Sequence, residues 1–128
     1  MFSHLDPSEY LTLASELASE SGEAAKRTAV DRAYYAAFLT SRDILAAKNL
    51  ITPYYNADDH KYVATSLKRY LGTFGNEENR LRLARNLSTY DTRSLDIGHG
   101  ARPVEWMIDT ASTIIDKVKA LPDHAGEH

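Results

Sequence analysis

The sequence contains no cysteine, which excludes a disulfide framework, a zinc–thiolate site and a cysteine nucleophile. No apolar run approaches the roughly 20 residues that a membrane-spanning helix requires. The N-terminal residues lack the basic and apolar regions of a secretory signal. The composition therefore predicts a cytoplasmic protein that does not associate with membranes.

Positive and negative charges are nearly balanced, with 15 lysines and arginines against 18 aspartates and glutamates. The formal net charge is −3, which argues against a protein that coats nucleic acid non-specifically. The chain has 128 residues, of which 43% are hydrophobic and 26% charged, as in ordinary soluble globular proteins. We predict a single domain over residues 1–128, with its packed core within about residues 7–121 and a flexible tail at 122–128.

Residues 23–49 contain no glycine or proline and predict a helix about 40 Å long. One apolar stripe of this helix is formed by Val30, Tyr34, Ala37, Phe38, Ser41 and Leu45. A second stripe, of smaller side chains, is formed by Ala29, Ala33, Ala36, Thr40, Ile44 and Ala47. Because a helix with two packing faces must be covered on both, it is expected at the centre of a helical bundle.

Start and stop signals predict four more helices, at residues 7–21, 58–71, 76–90 and 103–121. The glycines at 72 and 75 are expected to stop the third of the five helices. Residues 50–57 and 91–102 read as loops, and the tyrosines Tyr54 and Tyr55 are expected to lie against the bundle. With no convincing strand, the sequence predicts an all-α, up-and-down bundle of four to five helices.

Positive charge is concentrated on the fourth predicted helix and the residues that follow it. Between residues 79 and 93 one aspartate accompanies four arginines, namely Arg80, Arg82, Arg85 and Arg93. Arginines can contact phosphates through two hydrogen bonds at once. The charge pattern by itself favours a solvated helix face with paired arginines.

The spacing within the fourth helix indicates a more specific arrangement. Asn86 and Tyr90 are four residues apart and share a face, with Arg82 one turn earlier. Arg85 lies close to the apolar stripe around Leu81, so its cation must find a partner or line a cleft.

Two interpretations of Arg85 remain open. In the structural one, Arg85 forms an ion pair with Asp31 or Asp43 of the central helix. In the functional one, a guanidinium, an amide and a phenol from the fourth helix face a phosphodiester.

The five histidines are scattered, and no spacing among them predicts a metal site or a cofactor motif. His60 follows a pair of aspartates and is expected to be an exposed first-turn residue. His99 lies between two glycines of a predicted loop; solvent exposure is the simpler interpretation, although a histidine there could reach a cleft.

Three segments together resemble HEPN domains, in particular the small stand-alone prokaryotic proteins of that family. They are Arg32-Ala-Tyr-Tyr-Ala-Ala-Phe38, Asp59-His60-Lys61 and Leu83-Ala-Arg-Asn-Leu-Ser-Thr-Tyr-Asp91. The resemblance extends over roughly residues 7–121. It implies a homodimeric helical bundle and, in many members, a metal-independent ribonuclease that acts as a toxin beside a minimal nucleotidyltransferase antitoxin.

The resemblance also implies an active site, consisting of an arginine, commonly followed by a polar residue, and a histidine four to six residues further on. Arg85 and Asn86 match its first part, and Tyr90 stands where a histidine is expected. Arg93 and His99 satisfy the spacing literally but fall in the predicted loop.

We therefore expect a dimer that binds RNA or a nucleotide and that could act as an endoribonuclease without a metal or cofactor. Arg85 would stabilise the charged phosphorane and Tyr90 would donate a proton. The remaining site residues are Asn86 in the cleft, Arg82 and Arg93 as further nucleic-acid contacts, and Tyr34 and Tyr35 as supporting residues. The alternative is a non-catalytic HEPN interaction or regulatory module that partners a nucleotidyltransferase.

Overall fold

The computed structural model describes residues 6–7, 9–20, 22–90 and 104–122, and of residues 87–90 it describes the backbone alone. Within these ranges the chain is helical and contains no strand, which confirms the predicted all-α class. The helices are α1 (Glu9–Ala18), α2 (Glu23–Ala47), α3 (Asp59–Leu71), α4 (Asn76–Tyr90) and α5 (Val104–Lys119), and a 3₁₀ helix (Gly72–Gly75) joins α3 to α4.

Helix α2 is the centre of the bundle, as its two stripes predict. It packs against α1, α3, α4 and α5. The first stripe is buried along its whole length, from Val30 to Leu45. The second stripe is buried as far as Thr40, after which Ile44 is half-buried and Ala47 exposed. One hydrophobic core thus forms around the middle of α2.

Several helix ends lie one to three residues inside those predicted; α2, for example, ends at Ala47 and not at residue 49. Helix α1 begins at Glu9 rather than at Pro7, because the carbonyls of Asp6 and Pro7 accept the first backbone hydrogen bonds, from Glu9 and Tyr10, in a preceding turn. The segment expected to stop the third helix is itself the 3₁₀ helix, which leads from α3 into α4 without a loop.

Several predictions concern residues outside the described ranges. They include the loop at 91–102, the end of the tail at 123–128, and the side chains of Tyr90, Arg93 and His99. No helix within the described ranges is both long enough and apolar enough to cross a membrane.

Candidate functional site

Aromatic and charged side chains meet where α2, the first turn of α3 and α4 come together. We call this group the junction cluster; its members are Tyr34, Tyr35 and Phe38 of α2, His60 of α3, and Glu78, Arg82 and Arg85 of α4. On α2 and on α4, members three or four residues apart share one face of the helix. The two helices therefore present their polar and aromatic groups to each other and to His60.

His60 is held within an aromatic stack. Its ring lies parallel to that of Phe38, at 4.2 Å between centroids. Its Nδ1 is 2.5 Å from the hydroxyl of Tyr34, a residue that is fully buried. The imidazole itself is half-buried. The expectation that His60 is an exposed first-turn residue is therefore wrong, because the Tyr34–Phe38 face of α2 covers it.

Arg85 packs over the tandem tyrosines of α2. Its guanidinium carbon lies 5.4 Å from the ring centroid of Tyr34 and 5.5 Å from that of Tyr35, distances typical of cation–π contacts. The structure thus places both predicted supporting residues directly against the arginine. The planar guanidinium is oriented by two rings that are themselves fixed by packing, with an edge-to-face contact of 5.2 Å between them.

The two aspartates considered as ion-pair partners of Arg85 are engaged elsewhere. The carboxylate of Asp31 lies 3.3 Å from the guanidinium of Arg32, and that of Asp43 lies 3.0 Å from the guanidinium of Arg42. The structure thus gives Arg85 aromatic contacts in place of the ion pair that one interpretation of the sequence proposed.

The environment of the junction cluster lowers the pKa of His60. Burial is the main cause, because a half-buried imidazole is less well solvated when charged, and the positive charges of Arg82 and Arg85 add to the effect. The neighbouring carboxylate of Asp59 acts in the opposite direction. The imidazole is therefore neutral at pH 7 and has one nitrogen that can accept a proton.

The pKa of Tyr34, unlike that of His60, is raised. Burial, followed by the negative charge of Glu78, raises the pKa of its phenol above the ordinary value of 10.0. The Tyr34 hydroxyl is therefore protonated at all physiological pH values, and its single proton is donated either to His60 or elsewhere.

Glu78 is the member that the sequence did not indicate. It is fully buried, and burial raises its pKa to about 7, although the charge of Arg82 and a hydrogen bond from Tyr34 oppose the shift. Neither carboxyl oxygen has a partner in the described ranges at strict hydrogen-bond geometry, so the Tyr34 contact is a weak one. Glu78 looked like a first-turn acid placed to suit the helix dipole. Its position three residues before the buried Leu81, on the same face of α4, is the signal that could have revealed it.

The two arginines of the junction cluster carry unsatisfied donors. The Nε atoms of Arg82 and Arg85 are buried and have no hydrogen-bond partner in the part of the chain that the structure describes. A buried N–H without an acceptor costs about 1–3 kcal/mol, and more when it belongs to a charged group. Such donors are rare in folded proteins and call for an explanation, such as a ligand that supplies the acceptor.

The structure describes only one of the remaining predicted site side chains that we have not yet placed. Asn86 is half-buried on α4, next to Arg85 in sequence. The side chains of Tyr90 and Arg93 lie outside the described residues, as does His99. Within the described ranges, no group of three or more histidine, aspartate or glutamate side chains is arranged to hold a metal ion.

No family model, curated protein or solved structure matches this chain.

Proposed function

We propose that the junction cluster binds phosphate groups of RNA or of a nucleotide, as the resemblance to HEPN domains implies. One observation carries the proposal, namely that Arg82 and Arg85 each have a buried Nε without a partner among the described residues. A phosphate oxygen accepts such hydrogen bonds well, because the guanidinium offers a planar pair of donors that matches the phosphate geometry.

The cluster also contains groups suited to proton transfer. Metal-independent cleavage of RNA removes a proton from the 2′-hydroxyl, which attacks the phosphorus, and delivers a proton to the 5′-oxygen as that bond breaks. His60 is neutral at pH 7 and can accept the first proton, while Arg85 stabilises the charge of the phosphorane. The protonated His60 then returns this proton to the 5′-oxygen, so that His60 also takes the proton-donating role that the sequence assigned to Tyr90.

The remaining parts of the proposal come from the resemblance. They are a homodimer and, as a partner, a minimal nucleotidyltransferase antitoxin. An adjacent reading frame that encodes such an enzyme would support the toxin–antitoxin version.

We expect Arg85→Ala to weaken binding of single-stranded RNA in EDTA by roughly 10- to 100-fold, since each hydrogen bond to a charged group contributes about 1.5–3 kcal/mol. Fluorescence anisotropy with an end-labelled oligonucleotide at fixed salt measures the affinity. Arg80→Ala is the matched control, because Arg80 lies on the same helix but is exposed and ion-paired with Glu77 at 2.8 Å.

The two variants remove the same charge, so non-specific electrostatics weakens both alike. Equal affinities of Arg85→Ala and Arg80→Ala would refute the proposed phosphate site. Gel analysis of the same samples tests cleavage. RNA that is bound by the wild-type protein but stays intact would favour the non-catalytic version of the proposal.

A further inference from the structure

The connection between α2 and α3 exposes two adjacent aromatic rings. Tyr54 and Tyr55 are each 66% exposed, more than any other large hydrophobic side chain that the structure describes. The expectation that they lie against the bundle is therefore wrong. Two neighbouring aromatic side chains that are kept in water are typical of a binding surface rather than of a stability element.

The turn that carries the two rings is fixed by a buried carboxylate. Asp59 is fully buried, and its two oxygens accept hydrogen bonds from the backbone N–H groups of Tyr54, at 2.9 Å, and Tyr55, at 2.8 Å. Tyr55 has a φ of 58°, in the left-handed region that a bulky residue adopts only at a cost. Because the structure holds Tyr55 in a costly conformation, the display of its ring is a specified feature and not the result of a loose loop.

A cation links the exposed turn to the junction cluster. The guanidinium carbon of Arg42 lies 4.8 Å from the ring centroid of Tyr55 and 6.0 Å from that of Phe38. Phe38 in turn stacks on His60. After burial, Arg82 and Arg85, the positive charge of Arg42 also contributes to lowering the pKa of His60. The exposed rings are therefore continuous with the group that we propose binds phosphate.

We propose that Tyr54 and Tyr55 form a stacking platform for an unpaired nucleobase of the RNA strand whose phosphate lies on Arg82 and Arg85. This inference rests on the proposed function and names the part of the ligand that the arginines do not recognise. Proteins that bind single-stranded RNA stack bases on aromatic side chains beside a positively charged path for the backbone. Here Tyr54 and Tyr55 supply the aromatic side chains, and Arg82 and Arg85 supply the positive charge.

The surroundings of the Tyr55 ring favour a base over a cationic side chain. Arg42 already covers part of this ring with a cation, which leaves the exposed part for an uncharged ring such as a base. Arg42 is itself ion-paired with Asp43 at 3.0 Å, so the phosphate is assigned to Arg82 and Arg85 and not to Arg42. Tyr62 contacts Tyr54 at 5.5 Å between ring centroids and supports that ring on the protein side.

The test compares a short single-stranded RNA with the same strand carrying abasic sugars at its central positions. Both have the same phosphates, so the ratio of their affinities isolates base stacking. We expect wild-type protein to prefer the intact strand by roughly fivefold or more, as one stacked base typically provides. The double variant Tyr54→Ala/Tyr55→Ala is expected to bind both strands alike, and Tyr54→Phe/Tyr55→Phe to keep the preference, because it keeps the rings.

Two further variants separate the possible failures. Leu13→Ala replaces an exposed apolar side chain of α1 and should behave as wild type. Arg85→Ala should weaken binding of both strands by the same factor and leave their ratio unchanged. If Arg85→Ala binds RNA as wild type does, the phosphate site is refuted. If the double alanine variant keeps the wild-type ratio, the platform alone is refuted.

The two exposed tyrosines could instead contact a second copy of this chain. Light scattering of the wild type and of the double alanine variant decides this point. The platform predicts the same mass for both proteins. A dimeric wild type and a variant with a mass near 14.3 kDa would overturn the platform and identify the turn as a subunit contact.

Discussion

Glu78→Gln is expected to remove a pH dependence of stability of about 3 kcal/mol. In the folded protein the pKa of Glu78 is about 7, against an ordinary value of 4.5. Between these two values the folded state keeps a proton that the unfolded chain has released. The free energy of unfolding therefore falls as the pH rises through this window, and above it the folded protein carries the full cost of a buried carboxylate.

Denaturant unfolding of the wild type and of Glu78→Gln at pH 4.5 and pH 8 measures the effect. The variant should match the wild type at the lower pH within about 1 kcal/mol and exceed it at the higher pH by about 3 kcal/mol. His60, whose lowered pKa makes stability rise with pH, is present in both proteins and cancels in the difference. Glu77→Gln, which changes the neighbouring carboxylate, is the control. If the two proteins differ in free energy of unfolding by the same amount at both pH values, Glu78 does not have the raised pKa that its burial implies.

The ionisation of Glu78 also bears on the chemistry of His60. Tyr34 has one hydroxyl proton, which it can donate to Nδ1 of His60 or to the Glu78 carboxylate, but not to both. When Glu78 is protonated, Tyr34 donates to Nδ1 and the imidazole carries its proton on Nε2. When Glu78 is ionised, Tyr34 donates to it and accepts from Nδ1–H, so that Nε2 becomes a base. Activity that depends on His60 as a base should therefore rise as the pH passes about 7.

Gly75→Ala is expected to destabilise the protein by about 3 kcal/mol or more, because a side chain at this position has no room. A Cβ built on Gly75 would lie 2.5 Å from both the carbonyl carbon of Leu67 and the Cα of Lys68. These are backbone atoms of α3, so the clash cannot be relieved by a rotamer change. Moving them would shift the end of α3 away from the start of α4, which carries Glu78.

Gly72→Ala in the same 3₁₀ helix is the matched control. Gly72 has a φ of 66° and a ψ of −142°, a conformation that is nearly restricted to glycine, but a Cβ there would have no neighbour within 4 Å. Alanine at Gly72 therefore adds backbone strain alone, of about 1–3 kcal/mol. Chemical denaturation measures both variants, and a loss below about 1 kcal/mol in Gly75→Ala would show that α3 and the 3₁₀ helix can separate freely.

The scaffold could be predicted because it depends on local patterns. The two stripes of α2 follow from three- and four-residue spacing. They predict that α2 is central without any knowledge of how the other helices are arranged. The boundary at Pro7 shifted by two residues because a turn can use the same carbonyls as a first helical turn.

The site was only partly predictable because it depends on contacts between helices. The sequence placed Arg85 near the core and Tyr34 or Tyr35 behind it, but the burial of His60 and Glu78 depends on how α2 covers α3 and α4. A histidine or glutamate in a first helical turn is usually solvated. The exposure of Tyr55 depends on the carboxylate of Asp59, four residues further along the chain, which is buried and fixes the turn.

The imidazole of His60 provides the most direct test of the phosphate site. Its ring signals can be assigned among the five histidines by comparison with His60→Gln, and followed by NMR during titration with single-stranded RNA in EDTA. We predict that the free protein has a His60 pKa below 6.5 and that RNA raises it, because the phosphate offsets the positive charges of Arg82 and Arg85. RNA that binds while the His60 signals and pKa stay unchanged would contradict the proposed site.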